Sequence, residues 1–152
     1  MASNAQAVCT SFKAEILQAY HNFGTTVTRS GTGADTFKGA LYVQNSSIGA
    51  ATTAYASTGE VSGTGYTAGG AAITNGTAPA TSGTTAYWTP SANLSWSSVT
   101  LSTAFDCCLL YNSSQSNRAV ASFTFGAQTV TSGTFTLTMP TNAASTALLQ
   151  IS

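Results

Sequence analysis

The sequence V-T-L-S-T-A-F-D-C-C-L-L-Y-N, residues 99–112, decides the fold of this chain. Its first half alternates, with the apolar side chains Val99, Leu101 and Phe105 at odd positions, and its second half is an unbroken apolar run over residues 107–111. Alternation is typical of a strand with one buried face, whereas a continuous apolar run is typical of a strand covered on both faces. We therefore predict a central β-strand with a layer of structure on either side.

An earlier stretch has the same pattern. Residues 37–42 parallel residues 105–110, and each stretch is followed closely by Asn-Ser-Ser, with Lys38 standing where the later copy has Asp106. We predict that the two stretches are neighbouring strands of one sheet and that Lys38 and Asp106 pair at its edge. Chance similarity between two apolar strands is the alternative.

The composition indicates an all-β domain. Charged residues make up 5% of the 152 residues, against about 25% in an ordinary globular domain, while 27 residues are threonine. Threonine suits a pleated, half-buried surface better than a helix. We count seven to nine short strands separated by turn signals, the last of them in residues 147–151, and predict a jelly-roll-like two-sheet sandwich with one short N-terminal helix.

The domain boundaries follow from the N-terminal residues. Residues 1–10 show no periodic pattern and are predicted to form a flexible arm, which leaves residues 11–152 as a single β-sandwich domain. A helix is predicted over residues 11–23, with Ser11 as its cap and Gly24 at its end. Its apolar stripe consists of Phe12, Ile16, Ala19, Tyr20 and Phe23. The stripe must be buried either against the domain's own sheet or against a neighbouring subunit.

The charges and apolar runs exclude several partners. The four basic residues Lys13, Arg29, Lys38 and Arg118 are scattered and balanced by four acidic residues, so we predict no nucleic-acid partner. No apolar run reaches the roughly 20 residues of a membrane span, and no signal peptide is visible, so we expect no membrane partner and assembly in a cytoplasm.

Residues for catalysis or metal binding are few. His21 is the sole histidine, and the spacing gives no indication that a carboxylate from Glu15, Asp35, Glu60 or Asp106 approaches it. The cysteines Cys9, Cys107 and Cys108 lack metal-ligand spacing and read as reduced, structural thiols. We predict no cofactor, no metal and no enzymatic activity, with a small hydrolase as the least favoured alternative.

The remaining class of function is binding to another molecule through a complementary surface shape. Residues 58–70 hold five glycines but match no phosphate-binding motif, so we predict a surface loop that lies on a partner. Large aromatic residues in or beside loops either anchor interfaces or close the ends of the sandwich. The predicted interface residues are Phe12, Ile16, Tyr20, Phe23, Glu60, Tyr66, Tyr87 and Trp88.

Three segments of the chain resemble a family of small structural proteins encoded by tailed bacteriophages. They are Ser11-Phe12-Lys13-Ala14-Glu15-Ile16-Leu17 through His21-Asn22-Phe23, then Asp35-Thr36-Phe37-Lys38-Gly39-Ala40-Leu41-Tyr42, and Thr58-Gly59-Glu60-Val61 through Gly65-Tyr66-Thr67-Ala68-Gly69-Gly70. Proteins of this kind look like capsid cement or decoration proteins, which in some short-tailed phages are jelly rolls on the outside of the head.

The resemblance implies a non-enzymatic virion protein on the capsid surface. Its implied partners are the major capsid protein and further copies of itself, in a homo-oligomer assembled in the bacterial host cytoplasm. A tail, collar or head-fibre component is an alternative with the same composition, and a carbohydrate-binding module for host attachment is a second.

Overall fold

The computed structural model describes residues 3–26 and 33–152. Within these residues the chain forms two antiparallel β-sheets and one short α-helix, so the predicted all-β two-sheet sandwich with a short N-terminal helix is confirmed. The elements are β1 (Ala7–Val8), α1 (Thr10–Leu17), β2 (Phe37–Val43), β3 (Ala71–Ala72), β4 (Ala80–Ser82), β5 (Thr85–Trp88), β6 (Leu94–Asn112), β7 (Arg118–Leu137) and β8 (Leu149–Ile151).

The larger sheet has the strand order β1-β7-β6-β2-β3 and is built around β6. Residues 99–112 lie inside β6, and residues 105 and 107–112 of that strand are buried, which confirms the predicted central strand. β6 and β7 form one long hairpin, interrupted by several shifts in register. Such bulges bend a strand and increase its twist, which lets so long a hairpin stay within a small domain.

β2 and β6 are neighbours, as the repeated pattern predicted, but the predicted ion pair is wrong. The two strands run antiparallel, so Lys38 lies opposite Tyr111 and the far end of β2 lies beside Asp106. Asp106 instead accepts a hydrogen bond of 2.7 Å from the side chain of Asn4. Similar sequences on two strands place corresponding residues side by side only when the strands are parallel and in register.

The helix is shorter than predicted. It ends at Leu17 instead of residue 23, because Ala19 adopts a left-handed conformation with φ of 57°. The N–H of Tyr20 donates to the carbonyl of Glu15, and the N–H of Ala19 donates to that of Ile16. This pair of bonds is the Schellman arrangement that closes a helix C-terminus. The chain therefore turns before His21, which is free to enter the interior.

The start of the helix also differs from the prediction. Cys9 occupies the N-cap position, and its side chain makes no capping hydrogen bond. Ser11, the predicted cap, lies inside the first turn with its hydroxyl oxygen buried and without a partner among the described residues. Burial of Cys9 and Phe12 at the first turn, not a polar cap, fixes where the helix begins.

Residues 4–10 pack on the domain, contrary to the flexible arm that was predicted for residues 1–10; residues 1 and 2 lie outside the described part. β1 pairs with β7 at Ala121 and Ser122, and the Asn4 side chain donates to the carbonyl of Val43. Cys9 is fully buried. A two-residue strand has too little pattern to be recognised from sequence, because its stability comes from the sheet edge it joins.

The core lies on both faces of the larger sheet. Cross-strand neighbours share a face, so Tyr42 and Cys107 lie on one side and Leu41 and Cys108 on the other. The first side is covered by the segment that leads from Ile48 to Tyr55 and by residues 4–9. The smaller sheet, with the order β4-β5-β8, contributes the buried Trp88 and Leu149.

Candidate functional site

A buried polar cluster brings the only histidine to a carboxylate. The Nε2 atom of His21 lies 2.8 Å from Oε2 of Glu15, and the Arg118 guanidinium donates to Oε1 of the same carboxylate at 2.7 Å. The guanidinium also lies over the Tyr20 ring, 4.1 Å from its centroid. The sequence spacing gave no indication of this pairing, because the three side chains come from α1, the turn after it and the start of β7.

The neighbours of His21 fix its protonation state. The Asn112 side-chain nitrogen lies 3.1 Å from Nδ1 of His21 and 2.9 Å from Oδ2 of Asp35, while its oxygen accepts from Ser114. These bonds orient the amide so that its N–H₂ group faces the imidazole. Nδ1 must therefore be an acceptor and Nε2 must carry the proton that is donated to Glu15, which is the neutral imidazole.

This arrangement is better suited to a structural role for His21 than to a role in proton transfer. The imidazole has no solvent-accessible surface, and both ring nitrogens are already hydrogen-bonded. A hollow of about 410 Å³ lies beside it, lined by His21, Asn22, Phe23, Thr26, Ala78 and Pro79. No cysteine or carboxylate is among these lining residues, so the described part of the hollow offers His21 no strong nucleophile to activate.

The neutral His21 predicts a loss of stability in mild acid. Burial lowers the pKa of His21 below its ordinary 6.5, although the Glu15 carboxylate opposes this shift. The unfolded chain takes up a proton below about pH 6.5 and the folded chain does not, so the free energy of unfolding should fall from pH 7 to pH 5.5. The slope for one proton is at most about 1.4 kcal/mol per pH unit.

Denaturant unfolding measured across this pH range checks the prediction. Because His21 is the only histidine, His21→Gln should remove the slope while leaving the unfolding transition cooperative. An unchanged slope in that variant would contradict the assignment.

A second polar cluster surrounds Glu60. Its carboxylate accepts hydrogen bonds from the hydroxyls of Tyr55 and Tyr66 at 2.7 and 2.8 Å and from the N–H of Gly69 at 2.8 Å. The Tyr66 hydroxyl in turn accepts from the N–H of Leu41. Burial and the Glu60 carboxylate raise the pKa of Tyr55 to about 12 and that of Tyr66 further, so both phenols keep their protons and donate.

The glycine-rich segment 58–70 packs on its own domain, and the expectation that this loop lies on a partner stays a prediction. Val61 donates to the carbonyl of Leu41, and Thr64 forms a bridge with Thr100 of β6. A Cβ atom on Gly63 or Gly70 would collide with a backbone carbonyl oxygen of the sheet. The glycines are needed because backbone meets backbone at these positions.

The thiols are not poised for nucleophilic chemistry. All three cysteines are free and buried. Burial raises the pKa of Cys9 to about 11 and that of Cys107 to about 12, with smaller contributions from the carboxylates of Glu15 and Asp106. Burial also raises the pKa of Cys108. The reactive thiolate form is therefore scarce at neutral pH.

A cleft lies between α1 and the strands β5 and β8, and we call it the α1–β8 groove. A shallow part of about 90 Å³ contains Trp88 and Tyr87, and a larger part of about 650 Å³ contains Leu17 and Ile151; Phe12, Ile16 and Ile151 line both. The side chain of Leu17 is 89% exposed and that of Ile151 is 53% exposed. Exposed large apolar residues that share one cleft are typical of a protein interaction site.

Five of the eight predicted interface residues meet in this groove. Phe12, Ile16, Phe23, Tyr87 and Trp88 line it, although Phe12 and Trp88 are themselves buried. Tyr20 stacks on Arg118, and Glu60 and Tyr66 belong to the cluster described above.

The groove also contains residues that the sequence pattern did not single out. Leu17 lies off the predicted helical stripe, and Ile151, at the end of β8, shares a strand face with the buried Leu149 but is itself exposed. Their exposure is visible only in three dimensions.

No protein-family model, curated protein or solved structure matches this chain. The lining of the groove is apolar except for Lys13, Gln150 and Ser152.

Two further observations concern the described residues alone. No group of three or more histidine, cysteine or acidic side chains there is placed to bind a metal ion. No helix in that part of the chain has the length and apolar character needed to cross a membrane.

Proposed function

We propose that this protein is a structural virion subunit, a capsid cement or decoration protein that binds the outside of a phage head and bridges major capsid proteins. The virion and the capsid partner come from the resemblance of the sequence. The structural observation that supports the proposal is the α1–β8 groove, where Leu17 and Ile151 are exposed beside an apolar floor. A segment of the major capsid protein with an apolar side chain is the occupant that fits it.

The energy available at such a contact is moderate. Burying one leucine or isoleucine side chain contributes about 1.5–3 kcal/mol, and association consumes several kcal/mol of that gain. One groove would bind weakly. On a capsid, however, many copies that also contact one another bind together, and the combined affinity exceeds that of one contact. In this way a small domain with no net charge reinforces a shell.

The groove predicts a surface-specific loss of head binding. Leu17→Glu places a charge in the apolar contact, so we expect at least a tenfold lower affinity for heads that lack the protein, which corresponds to about 1.4 kcal/mol. The thermal stability should change little because the side chain is 89% exposed in the free chain. Co-sedimentation of the purified chain with such heads measures the affinity.

The matched control is Thr103→Glu, which adds the same charge at an exposed position of β6 outside the groove. It should bind as the unaltered chain does. Failure of the unaltered chain to bind heads would contradict the proposed function, and equal binding by Leu17→Glu would contradict the assignment of the groove.

The glycan-binding alternative has less structural support. It relied on exposed aromatic side chains, but Trp88 is 3% exposed and Tyr66 donates its hydroxyl proton to Glu60. Among the described aromatic residues, Tyr20 is the most exposed, at 37%, and it already stacks on Arg118. A tail, collar or head-fibre position uses the same groove and differs only in the partner.

A further inference from the structure

The second half of β7 has an open edge. β7 pairs with β6 on one side, and on the other side β1 covers it only at Ala121 and Ser122. From residue 123 to Leu137, no other described strand pairs with β7 on that side. The backbone groups along that side are therefore available to another strand.

This edge lacks most of the features that keep strand edges apart. Folded proteins usually place lysine, proline or inward-pointing charges on such edges. Residues 123–137 contain no charged residue and no proline. Four changes of register interrupt the pairing of residues 123–137 with β6, and two of them, around residues 125–127 and 131–132, add residues to β7 itself. Beyond these two, Phe135–Leu137 pairs regularly with β6, and the shift between Gly133 and Phe135 adds its extra residue to β6, so β7 gains none within Gly133–Leu137.

The segment Gly133–Leu137 is well suited to pair with itself. An antiparallel pair of identical strands centred on Phe135 sets Thr134 of each copy opposite Thr136 of the other. Both threonines are exposed, and Thr–Thr cross-strand pairs are favourable. Because the edge carries no charge, it offers no electrostatic attraction to a charged partner. Two copies of the same edge can approach each other without electrostatic repulsion. The five residues are about the length of an average strand.

We propose that Gly133–Leu137 is a self-association edge, at which two copies join their larger sheets by antiparallel pairing across a two-fold axis. The partner is a second copy of this chain. The inference deepens the proposed function, on which its meaning in a virion rests. The pairing is a property of the isolated chain. Self-association can therefore be absent when the chain binds heads, and it can be present when the chain does not bind heads.

Sedimentation equilibrium of the full chain at rising concentration tests the pairing. The unaltered chain should approach a dimer, with twice its mass of 15.4 kDa. The double variant Thr134→Lys with Thr136→Lys places like charges opposite each other and should be monomeric, as should Thr134→Glu with Thr136→Glu. An equimolar mixture of the two variants should restore a dimer that contains one chain of each kind.

The control adds two lysines to the edge of the smaller sheet, as Thr81→Lys with Ser82→Lys, both at exposed positions of β4. It should remain dimeric. Circular dichroism verifies that each variant folds. A monomeric unaltered chain at millimolar concentration would overturn the proposal, and so would a dimer that survives in the lysine and glutamate variants or a mixture that forms no mixed dimer.

Discussion

Gly70→Ala is expected to lower the free energy of unfolding by about 3 kcal/mol, through overpacking and backbone strain. Gly70 has a φ of +72°, and a Cβ atom there would collide with the carbonyl oxygen of Gly39 on β2. The atom in the way belongs to the backbone of the central sheet, so it cannot move aside as a flexible side chain would. The change would separate residues 58–70 from the sheet and disturb the hydrogen bonds to Glu60.

Gly126→Ala is the matched control for this prediction. A Cβ atom at Gly126 meets nothing within 4 Å, and no left-handed conformation is required there. We expect its unfolding free energy to lie within about 0.5 kcal/mol of that of the unaltered chain. Equal stabilities for the two variants in urea unfolding would show that the loop does not pack on the sheet as described.

Asp35→Asn is expected to have an effect of similar size, about 3 kcal/mol. Asp35 is 4% exposed, and its carboxylate accepts hydrogen bonds from the N–H of Asn22 and from the side chains of Asn112, Ser114 and Gln115. An amide in its place turns one acceptor oxygen into a donor that faces other donors. Asn112 would then lose the partner that orients it toward His21.

Asp106→Asn provides the comparison. Asp106 is half-buried, and the described hydrogen bond to its side chain comes from Asn4. The same chemical change there should cost less than about 1 kcal/mol. Chemical unfolding of both variants at pH 7 measures the two losses in free energy of unfolding. A larger loss for Asp106→Asn than for Asp35→Asn would contradict the roles that we assign to the two aspartates.

The central strand could be predicted from sequence because its pattern is local. The alternation of Val99, Leu101 and Phe105 and the run over residues 107–111 report burial directly, and the repeated pattern correctly placed β2 beside β6. The local pattern does not indicate whether β2 and β6 pair in a parallel or an antiparallel direction. The prediction of an ion pair between Lys38 and Asp106 failed because similarity between two strands does not specify whether they run parallel or antiparallel.

The hydrogen-bonded clusters around Glu15 and Asp35 could not be predicted, because several of their members are distant in sequence. Glu15 and Arg118 are 103 residues apart, and Asp35 meets side chains 77 to 80 residues further along the chain. Similarly, the pattern of residues 58–70 shows that glycine is frequent but not which backbone it approaches. α1 ends at Leu17 because Ala19 adopts a left-handed conformation, and an alanine gives no sequence signal for such a turn.

The groove was found in part. The helical stripe identified Phe12, Ile16 and Phe23, because an apolar stripe must be covered by something. The stripe could not reveal that packing of the helix on the domain leaves Leu17 exposed to solvent next to Ile151. Those two residues come from opposite ends of the chain and meet only through the pairing of β8 with β5.

The central claim of the proposed function is that the protein covers and joins the surfaces of other proteins. Electron cryomicroscopy of phage heads assembled with this chain tests that claim most directly. We expect density for this fold at repeated positions on the outside of the head, with the α1–β8 groove against the major capsid protein. A map in which the chain is absent from the head would contradict the proposed function.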